Sequence, residues 1–144
     1  MKRQDSADDF EAWLSIMDDA LERLNGALPD AIVAHLDRSP SSLRELEGWM
    51  LSRFATHEEL LLPKHTELLD GLARYVGEVF RSALEGVRWT IRFEDPSFAF
   101  HGLPILVERD SGHTVGCPHT LVTTSLARRR GDFLEKLLRR KLST

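Results

Sequence analysis

Hydrophobic residues in the middle of the chain recur at intervals of three and four residues. From Leu68 to Leu84 this spacing places them on one broad face of a helix. Gly86 follows the last periodic residue and suits the left-handed position that ends a helix. Gly71 and Gly77 lie inside the pattern, where each weakens a helix. We therefore predict a long central helix whose glycines admit the close approach of another backbone.

The interval then changes from three or four residues to two. Between Val87 and Phe93 apolar and polar residues alternate, and the apolar ones are β-branched or aromatic. This pattern predicts a strand with one buried face. Because the connection to the central helix is short, we expect helix and strand to pack together, with Trp89 facing Tyr75 and Val79.

The chain before the central helix predicts several shorter helices. A helix capped by Ser6 is expected to run to Asn25, and further helices follow Pro29, Pro40 and Thr56. Residues 1–5 are expected to be disordered. One face of the first helix is apolar, and the other carries the acidic residues Asp8, Glu11, Asp18, Asp19 and Glu22.

The chain after the first strand predicts a small sheet and two more helices. Phe98–His101 alternates as a second strand, Leu103–Glu108 forms a third, and His113–Gly116 suits a short edge strand. Such short connections favour antiparallel pairing. Helices then begin at Pro118 and after Asp132. The predicted fold is a single α+β domain over residues 1–144, with N-terminal helices, a long central helix, a three- to four-stranded antiparallel meander and two C-terminal helices.

Composition narrows the setting and excludes several classes of protein. The chain has 144 residues, a net charge of −4 and one cysteine, Cys117, so an internal disulfide is impossible. There is no apolar N-terminal leader and no stretch suited to cross a bilayer, so we expect a cytoplasmic protein without membrane contact. No phosphate-binding glycine loop or nucleophile elbow is present, and no cofactor is expected.

The densest group of metal-binding residue types is His113, Cys117 and His119. All three are possible zinc ligands, but a structural site needs a fourth protein ligand and the sequence offers none nearby. The alternative is that Cys117 caps the helix that begins at Pro118 while both histidines are exposed. The incomplete ligand set favours this alternative, so no metal is predicted.

The C-terminal helices carry an excess of basic residues, which is a possible nucleic-acid surface. They lack the interleaved aromatic residues that bind single strands, and cations near helix C-termini also stabilise the helix itself. Nucleic-acid binding is therefore not expected. The basic residues are Arg128, Arg129, Arg130, Lys136, Arg139, Arg140 and Lys141.

Three segments together resemble a group of small, mostly actinobacterial domains of unknown function. They are SPSSLRELE (Ser39–Glu47), YVGEVF with the following GVRW (Tyr75–Trp89), and CPHTLV (Cys117–Val122) leading to RRRGDFL. The similarity covers about Leu36–Leu138. It implies a shared α+β fold and a bacterial cytoplasmic setting, and it carries over no catalytic residue.

Two functions follow from these patterns. We predict a non-catalytic protein-interaction module that forms a homodimer or binds a protein partner, in the manner of immunity proteins. The alternative is a small-ligand-binding protein or enzyme with a pocket between the central helix and the sheet, lined by Glu78, Arg92, His101 and His113. Glu78 is either a general acid or base there or a half-buried carboxylate that accepts hydrogen bonds from a loop backbone or from Arg88 or Arg92.

Overall fold

A computed structural model describes all residues from 1 to 144, and its central element is the predicted long helix. This helix, α6, spans Thr66–Ala83, and its ten residues from Gly71 to Phe80 are all buried. An isolated amphipathic helix would leave one face in water. The burial of α6 on all sides therefore means that the other elements surround it.

Eight helices and three strands form the domain, which confirms the predicted α+β class. A single turn of 3-10 helix, Pro63–His65, precedes α6, so Pro63 begins this turn and the α-helix itself starts at Thr66. No helix has both the length and the apolar composition needed to cross a membrane. The remaining elements are α1 (Ala7–Ser15), α2 (Met17–Ala27), α3 (Asp30–Val33), α4 (Ser42–Arg53), α5 (His57–Leu60), β1 (Val87–Thr90), β2 (Ile105–Glu108), β3 (Thr114–Gly116), α7 (Pro118–Arg128) and α8 (Phe133–Leu142).

The single helix predicted from Ser6 to Asn25 is two helices. Ser6 caps α1 as expected, because its Oγ accepts a hydrogen bond from the backbone N–H of Asp9 at 3.1 Å. Ile16 then leaves the helical conformation, with φ −101° and ψ 17°, and separates α1 from α2. The break allows Trp13 and Leu24 to face the core from two differently oriented helices, and both are buried.

The three strands form an antiparallel sheet in the order β1-β2-β3. Trp89 on β1 lies opposite Leu106 on β2, and the register between β2 and β3 shifts between Leu106 and Val107. The edge strand predicted at His113–Gly116 is present as β3. The sheet therefore consists of the first, third and edge strands of the predicted meander, and the predicted second strand is absent.

The strand predicted at Phe98–His101 was wrong, because this segment is a series of turns. Backbone hydrogen bonds from Phe98 N–H to Asp95 O and from His101 N–H to Phe98 O, both 3.0 Å, close these turns. The two phenylalanine rings, Phe98 and Phe100, meet edge to face with centroids 5.5 Å apart. They cover a small apolar cluster of Leu103, Ile105, Val107 and Cys117, so their two-residue spacing reflects shared packing and not a strand.

The N-terminal segment expected to be disordered has defined partners. The backbone N–H of Gln4 donates to Gly102 O at 2.7 Å, and the Arg3 guanidinium donates to His101 O. Met1 packs against both hydrophobic clusters of the domain. Residues 1–5 therefore lie across the loop that connects β1 and β2.

The predicted inward orientation of Trp89 is confirmed, since its side chain is only 8% exposed. The predicted reason for the glycines needs correction, because side chains and not a backbone approach them. The Trp89 ring occupies the space that a Cβ of Gly77 would need. Leu24 Cδ1 lies 3.1 Å from the position that a Cβ of Gly71 would take. Helix α6 thus accepts large side chains from β1 and α2 at its glycines.

Candidate functional site

Helix α6 carries two carboxylates, the half-buried Asp70 and the buried Glu78, and each accepts a hydrogen bond from a tryptophan. Trp13 Nε1 on α1 donates to Asp70 Oδ1 at 2.8 Å, and Trp89 Nε1 on β1 donates to Glu78 Oε2 at 2.9 Å. The two indole rings also contact each other edge to face, with centroids 4.9 Å apart. The indole N–H groups of both tryptophans are therefore satisfied by carboxylates two helical turns apart.

Two further side chains contact Asp70. Arg74 Nε donates to its Oδ2 at 2.7 Å, and His119 Nε2 lies 3.0 Å from its Oδ1. Arg74 is itself almost fully buried, donates to the backbone oxygen of Trp13 at 2.7 Å and stacks 4.0 Å above the centre of the Trp13 ring. One aspartate thus joins α1, α6 and the start of α7.

These contacts determine the charge of Asp70. Burial alone would raise the pKa of its carboxyl, but the hydrogen bonds and positive charge from His119 and Arg74 outweigh burial and hold the pKa at about 2. Asp70 is therefore ionised near neutral pH and can only accept hydrogen bonds. It follows that His119 Nε2 carries the proton in their shared hydrogen bond.

The other nitrogen of His119 has no partner. The Nδ1 atom is buried and has no hydrogen-bond donor or acceptor within reach, and the side chain as a whole is only 4% exposed. Buried polar atoms in folded proteins are nearly always paired, so an unpaired one needs a cause. A ring held at one nitrogen and unpaired at the other can accept or donate a proton at the second.

Asp70 and His119 border an open cleft of about 470 Å³. A volume of roughly 300–1,000 Å³ is typical of sites for small molecules. The cleft lies between the N-terminal segment, the turn before α6, the first two turns of α6 and the start of α7. Its lining residues are Met1, Lys2, Gln4, Trp13, Pro63, Lys64, Thr66, Glu67, Leu69, Asp70 and His119.

Glu78 does not line this cleft. Its carboxylate accepts hydrogen bonds from Arg81 at 2.7 and 3.0 Å besides the one from Trp89, and Arg38 Nη1 lies 3.9 Å away. Burial raises the pKa of Glu78, but the hydrogen bonds from Arg81 and Trp89 outweigh burial and leave the pKa below its usual value. These contacts support the structural interpretation of Glu78, with Arg81 and Trp89 as partners in place of the expected Arg88 or Arg92.

The other three predicted pocket residues lie in the loops that connect the strands, Arg92 and His101 between β1 and β2 and His113 between β2 and β3. Arg92 and His113 line a shallow depression of about 420 Å³ together with Glu94, Asp95, Phe98, Gly112 and Thr114. Arg92 donates to Gly112 O at 2.7 Å and joins the two loops. His101 contacts Phe93, with its Nε2 3.2 Å from the Phe93 carbonyl oxygen. The structure thus brings Arg92 and His113 together, while Trp89 fills the space expected for a pocket between helix and sheet.

The three residues considered as zinc ligands do not converge on one point. Cys117 Sγ lies 3.7 Å from Pro104 O, and burial raises the pKa of its thiol. His119, which was expected to be exposed, is buried and binds Asp70, whereas His113 is exposed. No group of three or more His, Cys, Asp or Glu residues is placed to hold a metal ion.

Sequence reasoning did not identify Asp70 as a site residue. The available signal was an oppositely charged pair, Asp70 and Arg74, four residues apart within the periodic apolar pattern of the central helix. Charged residues are rarely buried unless they are paired, so this spacing was informative.

A scan against protein-family models and searches of characterised proteins and of solved structures found no match for this chain.

Proposed function

We propose that this protein binds a small molecule in the cleft beside His119. The observation that carries the proposal is the cleft of about 470 Å³ itself, on whose wall Asp70 holds the His119 imidazole at 3.0 Å. The cleft has a suitable volume and polar groups from three segments of the chain.

The same geometry favours binding over catalysis. A catalytic imidazole needs a nucleophile or a reacting atom within hydrogen-bond distance. Cys117, the thiol two residues before His119, is buried against Pro104, and that burial raises its pKa. Asp70 therefore acts as a positioning residue that holds His119 in one orientation.

A fragment screen by NMR tests this proposal. Fragments that bind the cleft should shift the amide signals of Gln4, Thr66 and His119, and a bulky Gln4→Trp substitution should abolish the shifts. Asn25→Trp, at an exposed position near the end of α2, is the control and should leave them unchanged. A diverse library in which no compound perturbs cleft residues would contradict the proposal.

Protein interaction, including homodimer formation, is a second candidate function. One observation favours it: six exposed acidic residues on α1 and α2 form no ion pair within the chain, and neither do the exposed Arg128, Arg130 and Arg140 of the basic C-terminal region. Two copies could pair these surfaces. The acidic residues are Asp8, Asp9, Glu11, Asp18, Asp19 and Glu22.

Sedimentation at low and high salt tests this second function. A dimer held by opposite charges should be present at low ionic strength and dissociate as salt screens the interaction. A chain that stays monomeric at low salt and high concentration would exclude self-association.

The bacterial cytoplasmic setting, which the resemblance to small actinobacterial domains implies, is likewise a proposal.

A further inference from the structure

We infer that the cleft beside His119 selects an anion, a small molecule with a carboxylate or phosphate group. This inference rests on the proposed function, because it names the chemical class of the ligand. Its basis is the balance of paired and unpaired charges around the cleft. Four charged side chains line it, and they are Lys2, Lys64, Glu67 and Asp70.

Both acidic residues of the cleft are paired with arginines that lie outside it. Asp70 Oδ2 is 2.7 Å from Arg74 Nε, and Glu67 Oε1 is 3.4 Å from Arg23 Nε in an exposed pair that solvent screens. Neither arginine is among the cleft-lining residues. Arg74 therefore offsets the charge of Asp70, and Arg23 offsets that of Glu67 in part.

Both lysines of the cleft lack a carboxylate partner. Lys2 and Lys64 are exposed, and neither forms an ion pair with any residue of the chain. They come from separate segments that the fold fixes at the cleft: Gln4 holds the N-terminal segment through its bond to Gly102, and Pro63 begins the turn that carries Lys64. Two unpaired ammonium groups thus converge on one concave surface, which favours an anionic ligand.

The test is an NMR titration with sodium phosphate and, separately, sodium acetate, at constant ionic strength adjusted with sodium chloride. Saturable shifts at Lys64, Thr66 and His119 are expected for at least one of the two, and which one binds identifies phosphate or carboxylate as the preferred group. The Lys2→Gln/Lys64→Gln double variant should bind about tenfold more weakly, since two attractive charges are lost.

Lys136→Gln, which removes an exposed lysine paired with Asp132 on α8, is the matched control and should bind as the unmodified chain does. Circular dichroism melting establishes that all variants are folded. If neutral fragments bind the cleft but neither anion does, the anion inference fails and the proposed function stands. Anion binding that survives loss of both lysines also overturns the inference, and absence of any binding contradicts both.

Discussion

The indole ring of Trp89 lies directly on the α-carbon of Gly77, at the middle of the buried part of α6. A Cβ at position 77 would overlap the six-membered ring and would also approach Pro118 Cγ at 3.1 Å. The same indole donates its N–H to Glu78, the next residue of the helix. Gly77 therefore gives β1 its closest approach to α6, and the hydrogen bond fixes the ring in that position.

Gly77→Ala should destabilise the domain by about 2 kcal/mol, because overpacking a buried contact costs more than alanine gains in helix propensity. Gly48→Ala is the matched control, since Gly48 lies within α4 with no atom near its missing Cβ. That variant should be unchanged or up to about 1 kcal/mol more stable. Urea unfolding measures both free energies, and equal effects of the two substitutions would contradict the packing described.

The hydrogen bond between Trp89 and Glu78 should appear as a coupling energy. In a double-mutant cycle with Trp89→Phe and Glu78→Gln, we expect a coupling of about 1–2 kcal/mol, because the bond is buried and its acceptor is charged. The control cycle pairs Trp89→Phe with Glu85→Gln, at an exposed position beyond α6. Coupling in the control but not in the first cycle would show that Glu78 does not hold the indole.

The sequence was sufficient for those elements that local periodicity determines. Alternation around Trp89 predicted a strand with its ring inward, and this was right because β1 has one buried and one exposed face. The same alternation at Phe98 and Phe100 was misleading, because two rings that lie two residues apart in a turn give the same sequence pattern as a strand. The turn before them is closed by Asp95 and Ser97. Ser97 N–H and its hydroxyl both donate to Asp95 Oδ1, at 2.9 and 2.7 Å.

The candidate site could not be predicted in the same way, because it depends on contacts between distant segments. Asp70 and His119 are separated by 49 residues, and Trp13 and Asp70 by 57. They meet only after the sheet has returned the chain so that α7 packs against α6. Periodicity fixes which face of a helix is buried, but it does not specify which polar side chain of another element reaches that face.

Asp70 should make stability depend on pH in acid. Its pKa is lowered from 3.8 to about 2 in the folded protein, so its contribution is fully present above the unfolded value and is lost as pH falls from about 4 to 2. A shift of this size corresponds to about 2 kcal/mol. Asp70→Asn should remove this part of the acid destabilisation, whereas Asp18→Asn, at an exposed position without an ion pair, should not. Chemical denaturation at several pH values between 2 and 7 measures the difference, and parallel curves for the two variants would refute it.

Glu47 should be important for the C-terminal helix. This fully buried carboxylate on α4 accepts hydrogen bonds from the backbone N–H groups of Phe133 at 3.1 Å and Leu134 at 2.9 Å, and so caps the start of α8. Glu47→Ala should cost about 2–3 kcal/mol, because it leaves two buried donors unpaired. Glu47→Gln, which keeps one acceptor oxygen, should cost less.

Glu45→Ala on the exposed side of the same helix is the matched control and should change stability by less than about 0.5 kcal/mol. Hydrogen exchange should also show selective loss of protection in α8 of the Glu47→Ala variant. Uniform loss of protection across the domain would instead indicate that Glu47 supports the whole core and not one helix end.

The protonation of the His119 ring tests the central arrangement most directly. Long-range proton–nitrogen NMR distinguishes the two ring nitrogens and shows which of them carries hydrogen. Asp70 is ionised near neutral pH and accepts from Nε2, so His119 Nε2 should be protonated there. A neutral ring with hydrogen on Nδ1 and none on Nε2 would contradict the contact with Asp70 and the binding site built on it.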